Sequence, residues 1–213
     1  MNYGEVWKAA GIPQEQYKIA SKELQDMREG RVHAVWQSAI DALKLIEEDG
    51  LSLLDMGCAS GYFYEIFNTL LPGKFQYNGA DFSQAMIDLA QQNYPDANYE
   101  VIDIRNIDKP SRKYDVVFSS AVLEHVPEWH QGLMELCRVA QKYLVLHKTP
   151  MEGVKPTHHS KKQVYNVEII FNRFNRTEFV DAVISQGFEL IHEEKTNPKS
   201  NNGYKVLVFR RVP

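Results

Sequence analysis

The chain has 213 residues, of which 44% are hydrophobic and 24% charged, a composition typical of one ordinary globular domain. A formal net charge of -4 argues against a strong general attraction to nucleic acid, and no stretch is long and apolar enough to span a membrane. The only two cysteines, Cys58 and Cys137, do not suggest a disulfide framework, and residues 1–10 lack the apolar run of a signal peptide. We expect a single domain over residues 1–213 in a cytoplasmic setting, with an unknown oligomeric state.

The N-terminal part of the chain is predicted to be helical. Residues 14–48 form two predicted helices that are interrupted near Gly30. In the second helix, Val32, Val35, Trp36 and Ala39 recur at helical spacing and should pack on a core. Residues 1–49 are therefore treated as a helical segment that precedes the main fold.

After Gly50 the pattern changes to strands that alternate with helices. The predicted strands are 51–56, 75–80, 99–102, 115–119 and 143–147, and the predicted helices are 62–71, 84–93 and 131–140. Parallel strands joined by helices form a sheet that is covered on both faces.

The C-terminal part differs from this alternation. Asn175 and Glu178 give a capping-box-like start to a helix over 176–186. The strands predicted at 188–194 and 204–210 are joined by a short, turn-rich link, so they should pair as an antiparallel hairpin. The predicted fold is a doubly wound, Rossmann-like α/β sheet of seven strands, mostly parallel, with an antiparallel C-terminal hairpin.

The first strand ends in an acidic residue and a turn of small residues. Asp55 is followed by Gly57, Cys58, Ala59 and Gly61. Small residues let the backbone approach a nucleoside ligand closely. The charge of Asp55 beside such a ligand fits a positively charged cofactor better than a pyrophosphate.

Polar residues also follow the next three strands. Asp81 ends the second strand and can bind both ribose hydroxyls, and Asp103 follows the third and can accept a hydrogen bond from an adenine amino group. The fourth strand ends at Ser119 and Ser120. Ligands of open parallel sheets bind outside the carboxyl ends of the strands, so these residues should line one crevice.

Together these segments resemble the class I S-adenosylmethionine-dependent methyltransferases, over roughly residues 50–150. The turn from Asp55 to Gly61 is similar to the first motif of that family, with Ala59 in place of its middle glycine. The segment 122–126, Val-Leu-Glu-His-Val, is similar to the motif that follows the fourth strand in members acting on small molecules.

The resemblance implies S-adenosyl-L-methionine as cofactor and an oxygen or nitrogen of a small molecule as methyl acceptor. The residues it assigns to cofactor binding are Asp55, Gly57, Cys58, Ala59, Gly61, Asp81, Phe82, Ser83, Met86, Asp103, Ile104, Ser119 and Ser120. It also implies that residues 1–49 form a lid over the cofactor, to which Tyr17 could contribute.

His125 is the candidate general base, because imidazole titrates near neutral pH. The alternative is that His125 braces its loop or packs against the methionine part of the cofactor. No metal site is expected, since no histidine pair is accompanied by a suitable ligand cluster.

Residues 147–174 form a long segment that is rich in basic and aromatic side chains. In this architecture the segment should lie above the carboxyl ends of the strands, where it would form an acceptor-side insertion. It is interpreted either as a pocket for an anionic or sugar-like acceptor, or as a solvated basic loop.

Other functions stay open at this point. An NAD(P)-dependent Rossmann oxidoreductase would need G-x-G-x-x-G, whereas this chain has Gly57, Ala59 and Gly61 with Tyr62 in the place of the last small residue. A non-catalytic subunit that binds the cofactor would share the same motifs. A protein methyltransferase of the Asn-Pro-Pro-Tyr type is disfavoured, since Ser-Ser-Ala-Val stands after the fourth strand.

Overall fold

Strands and helices alternate from Leu51 onward in the computed structural model, which describes residue 7 and residues 11–153, 155–164 and 167–213. In chain order the elements are α1 (Ile12–Arg28), α2 (Ala34–Lys44), β1 (Leu51–Met56), α3 (Tyr62–Leu70), β2 (Phe75–Asp81), α4 (Gln84–Asn93), β3 (Asn98–Val101), β4 (Tyr114–Ser120), a 3-10 turn (Leu123–His125), α5 (Trp129–Val139), β5 (Ala140–Glu152), β6 (His158–Val164), β7 (Val167–Asn175), α6 (Arg176–Ile184), β8 (Phe188–Lys195) and β9 (Tyr204–Arg211). Of the predicted lid, residues 1–6 and 8–10 lie outside the described part.

The sheet has the predicted topology. Strands β3, β2, β1, β4 and β5 lie side by side in that order and are all parallel. Strand β9 pairs antiparallel with β5, and β8 pairs antiparallel with β9. The mostly parallel sheet with an antiparallel C-terminal hairpin is therefore confirmed. The strand order changes direction between β1 and β4, since β2 and β3 are added on one side of β1 and β4 and β5 on the other.

Helices cover both faces of the sheet. Successive side chains of β1 pack on opposite faces of the sheet. Leu53 packs in the apolar cluster that includes α1, α2 and α3, whereas Leu54 packs in the cluster that includes α5 and α6. A strand buried on both faces is apolar along most of its length, and Leu51–Met56 is apolar except at Ser52 and Asp55. None of the helices in the described part of the chain has the length and apolar character that a membrane crossing requires.

The segment 147–174 is largely ordered into strands, which differs from the loop expected from the sequence. Strand β5 runs on to Glu152, and β6 and β7 form an antiparallel hairpin. The end of β5 pairs in parallel with β7 at Met151–Phe174 and Glu152–Asn175, so the sheet has nine strands. The seven predicted strands are present, and the two additional strands, β6 and β7, lie within or directly at the end of the segment 147–174.

The start of α6 follows the predicted cap. The side-chain oxygen of Asn175 accepts a hydrogen bond from the backbone N–H of Glu178 at 3.0 Å. The helix then buries Phe179, whose ring lies 5.8 Å from Trp129 and 4.9 Å from Phe174 between ring centroids. These aromatic contacts pack α6 against α5, which carries Trp129, and against β7, which carries Phe174.

We expect Phe179→Ala to lower the free energy of unfolding by about 3–5 kcal/mol, because the ring is fully buried and leaves a cavity. Ile184→Ala on the same helix is the control, since Ile184 is 47% exposed. Urea denaturation of the two variants measures the difference. Equal losses of stability would contradict this description of the core.

Candidate active site

A cavity of about 740 Å³ opens at the carboxyl ends of β1, β2, β4 and β5. Helices α1 and α2 form one wall, and the β6–β7 hairpin and the start of β9 form the opposite one. The volume lies in the range of small-molecule sites, and the position is where open parallel sheets bind ligands.

The turn after β1 is held against the end of β2. The backbone N–H groups of Gly57 and Cys58 both donate to the carbonyl of Ala80, at 2.7 and 2.9 Å. Gly57, Ala59 and Gly61 all have left-handed φ values, of 87°, 49° and 80°. A Cβ atom on Gly57 would lie 2.1 Å from Val122, so this position requires glycine for packing as well as for its φ.

Asp81 is an acid of the cavity wall that is held by two backbone N–H groups. One oxygen, Oδ1, accepts from the backbone N–H of Ser83 at 3.0 Å, and Oδ2 accepts from that of Ala59 at 3.1 Å. Burial raises the pKa of Asp81 to about 6, while hydrogen bonds from Ser83, Ala59 and Phe82 act in the opposite direction. Each oxygen keeps a lone pair with which it can bind a ligand hydroxyl.

Asp55 does not line the cavity, which differs from the expectation that its charge lies directly beside the ligand. The side chain is fully buried, and its Oδ2 accepts from the phenol of Tyr77 at 2.6 Å. Burial raises the pKa of Asp55 to about 7, and the Asp81 charge adds to this while Tyr77 opposes it. The physical reason is strand alternation, because Asp55 shares the covered face of β1 with Leu53.

Residues at or near the ends of β3 and β4 were also predicted to line the cavity. Asp103 lines the cavity, and its carboxylate forms an ion pair with Arg105 at 2.6 Å, so a ligand amino group would share it with this guanidinium. Ser119 is buried and donates to the carbonyl of Met56 at 2.9 Å, whereas Ser120 lines the cavity.

The cavity therefore brings together a subset of the predicted residues: Gly57, Ala59, Asp81, Phe82, Met86, Asp103, Ile104, Ser120 and His125. The residues outside its lining are Asp55, Cys58, Gly61, Ser83 and Ser119. Helix α1 contributes four lining residues, Gln16, Ile19, Ala20 and Glu23, whereas the expected Tyr17 is not among them. Trp7 also lines the cavity.

A buried histidine links α2 to the end of β4. His147 Nε2 lies 2.9 Å from the carbonyl oxygen of Val35, which can only accept, so we assign the ring proton to Nε2. Its Nδ1 then accepts from the hydroxyl of Ser120 at 2.8 Å. Burial lowers the pKa of His147 to about 3, which keeps the ring neutral. The oxygen of Ser120 is left as an acceptor in the cavity.

His125 lies in a second polar group, next to the β6–β7 hairpin. Its Nδ1 donates to the carbonyl of Ile170 at 3.1 Å, and its Nε2 lies 3.3 Å from Glu124 Oε1. Glu124 is buried, and Tyr204 lies close by, with a pKa that is raised by its burial and then by the Glu124 charge. The indole of Trp7 covers His125 at 5.0 Å between ring centroids.

His147 and Tyr204 are cavity residues to which no individual role was assigned from the sequence. His147 directly follows the apolar run Leu144, Val145 and Leu146, and this position at the end of a buried strand is a signal that could have identified it. Tyr204 opens a strand far along the chain, and only the pairing of β9 with β5 brings it to the site.

The strand order, the glycine turn and the acid after β2 define a doubly wound α/β protein that binds a nucleoside-type ligand. A sequence model of the methyltransferase domain matches residues 27–193. This match covers most of the chain, and the protein belongs to the methyltransferase domain family.

Curated relatives match shorter stretches. The chain is 33% identical to the malonyl-[acyl-carrier protein] O-methyltransferase of Serratia marcescens over 92 residues, which is 43% of this chain and 35% of that protein. It is 30% identical to the trans-aconitate 2-methyltransferase of Escherichia coli over 111 residues, which is 52% of this chain and 43% of that protein. The matches thus span less than half the length of these relatives.

Solved structures share the fold. Magnesium protoporphyrin IX methyltransferase from Synechocystis, solved with bound S-adenosylmethionine, superimposes with a TM-score of 0.62 at 19% identity, covering 95% of this chain and 85% of that chain. The expected family and Rossmann-like fold are confirmed.

We expect the stability of the protein to depend on the protonation of Asp55. Its pKa rises from about 3.9 in the unfolded chain to about 7 in the folded protein. Between these values the folded state binds more protons, so the free energy of unfolding falls as the pH rises. Asp55→Asn cannot ionise and keeps an acceptor for Tyr77. The melting temperature of the variant minus that of the wild type should therefore increase as the pH rises from about 4 to about 8.

Melting curves of both proteins across that range measure this effect. A difference in melting temperature that is constant with pH would contradict the assignment of a raised pKa to Asp55.

Proposed function

We propose that the protein transfers a methyl group from S-adenosyl-L-methionine to an oxygen or nitrogen of a small-molecule acceptor. The observation that carries this proposal is the Asp81 carboxylate, held by two backbone N–H groups in the wall of a cavity of about 740 Å³. Membership of the methyltransferase domain family supports the reaction type. The names of the relatives, which include O-methyltransferases, support a small acceptor.

The residues of the cavity fit this cofactor. Asp81 would hold the ribose hydroxyls, Asp103 the adenine amino group, and Met86 and Ile104 the faces of the ring. The backbone of the glycine turn would lie against the methionine part. The carboxylates of Glu23 and Glu124 also line the cavity, and acidic walls favour a cationic ligand.

When bound, S-adenosylmethionine supplies an electrophilic methyl group on a positively charged sulfur. The task of the chain is then to bind, orient and exclude water. The contacts of Ile19 and Ala20 on α1, with Trp7, support the proposed role of residues 1–49 as a lid. Residues 50–213 would form the cofactor-binding core, with residues 147–174 as an insertion on the acceptor side.

The role of His125 as general base stays a prediction. Both ring nitrogens contact protein groups: Nδ1 donates its proton to the carbonyl oxygen of Ile170, and Nε2 faces the carboxylate of Glu124. A proton taken from the acceptor would enter between Nε2 and the Glu124 carboxylate. The same contacts support the alternative, in which His125 braces the loop after β4 against the hairpin.

Asp81→Asn should weaken the binding of S-adenosylmethionine and S-adenosylhomocysteine by about 10- to 100-fold, because a charge-assisted hydrogen bond contributes roughly 1.5–3 kcal/mol. Asp88→Asn, on the exposed face of α4, should bind as the wild type does. Calorimetric titration measures both affinities. Unchanged binding by Asp81→Asn would refute the ribose assignment.

If His125 is the base, His125→Gln should lower kcat on the order of 100-fold or more with little change in KM, and the acid limb of the pH–rate profile should disappear. Transfer of labelled methyl to an acceptor panel provides the assay, and it also separates an enzyme from a non-catalytic subunit. An unchanged pH profile with a lower melting temperature would assign His125 to bracing the loop.

A further inference from the structure

A lysine on β5 is aimed into the cavity by a β-bulge. The pairing of β5 with β9 shifts register between Leu146 and Thr149, so that β5 has one residue more than its partner. A regular strand would place residue 148 on the same face as Leu146, which is buried in the core. In the bulge Lys148 has a φ of 52° and lines the cavity.

The backbone of Lys148 is strained, because a left-handed φ is unfavourable for a residue with a Cβ atom. Glycine or asparagine would adopt this conformation at a lower cost. Strained residues cluster at functional sites, and here the strained residue presents an ammonium group. Its Nζ lies 6.0 Å from the centre of the Tyr204 ring.

A second lysine reaches the cavity from the hairpin. Lys162 on β6 is paired with Ile169 on β7, and both line the cavity together with Phe171. The Nζ of Lys162 lies 3.2 Å from the centre of the Phe171 ring. The rings of Phe171 and Tyr204 are neighbours, with centroids 6.5 Å apart, so the two lysines lie over one aromatic surface.

The charges around this surface leave the two lysines available. Arg173 is balanced by Glu152 at 3.6 Å, and Lys161, which faces the other side of the hairpin, pairs with Glu168 at 2.7 Å. Among the residues that the structure describes, no carboxylate lies within ion-pairing distance of Lys148 or Lys162. Glu124 is the acid whose charge acts on Lys162, and it belongs to the His125 group.

We propose that the methyl acceptor carries an anionic group, a carboxylate or a phosphate, which Lys148 and Lys162 bind over the Phe171–Tyr204 surface. This inference rests on the proposed methyl transfer. The buried Glu124 carboxylate repels an anion, so the acceptor lies with its charged end toward the lysines and away from the Glu124–His125 pair. Lys148 and Lys162 are then specificity-determining residues.

The test measures binding to the protein saturated with S-adenosylhomocysteine. The probes are hydroxybenzoates and short dicarboxylates, each with its amide, and phenyl phosphates with their neutral methyl esters. At least one anion should bind more tightly than its neutral partner, and Lys148→Met and Lys162→Met should each reduce this preference on the order of tenfold. Comparing the acid and phosphate series shows which anion the site takes.

Lys161→Met is the matched control, because it removes a neighbouring charge from the opposite face of the same strand. It should keep the preference, and rising salt should weaken the preference in the wild type. Methionine keeps most of the aliphatic stem, and melting temperatures verify that each variant is folded.

Two results would overturn the proposal: neutral partners that bind as tightly as the anions, or a preference that survives in the double variant Lys148→Met/Lys162→Met. The initial titration with S-adenosylhomocysteine separates the two proposals. If this compound fails to bind, the methyl-transfer function is refuted, whereas binding without any anion preference refutes the acceptor class alone.

Discussion

The arrangement of the site depends on one buried carboxylate. Asp81 accepts hydrogen bonds from the backbone N–H of Ala59, in the turn after β1, and from that of Ser83, at the start of α4. It thus ties two strand-to-helix connections together at adjacent strands. Ala59 has a left-handed φ that costs energy, and the hydrogen bond to Asp81 offsets part of this cost. The carboxylate that shapes the turn also lines the cavity.

The donor side of the cavity could be predicted well from the sequence. Strand ends of a parallel sheet converge at one edge, so Asp81, Asp103 and Ser120 were expected there and do line the cavity. Asp55 was expected beside the ligand, and the alternation along β1 explains why it is absent from the cavity lining. Leu53 and Asp55 share one face, and that face is covered by helices.

The hairpin side of the cavity could be predicted only as a segment. Strand β7 carries Ile169, Ile170 and Phe171 in succession, and all three are buried. Because both faces of this strand are covered, the period-two alternation that marks a half-exposed strand is absent. The contribution of Tyr204 and the aim of Lys148 depend on pairing between distant strands and on a bulge, and neither has a local sequence signal.

The β6–β7 hairpin is joined to the rest of the sheet by the two pairs Met151–Phe174 and Glu152–Asn175, at the far end of β5. Among the described residues, the strands that carry the glycine turn and Asp81 form no backbone pairs with this hairpin. Under the proposed function, exchange of this hairpin would alter the molecule that is modified while leaving β1, β2 and the glycine turn in place. Acceptor choice and cofactor binding would then be separable traits, because the hairpin meets the parallel strands only near the end of β5 in the described part of the sheet.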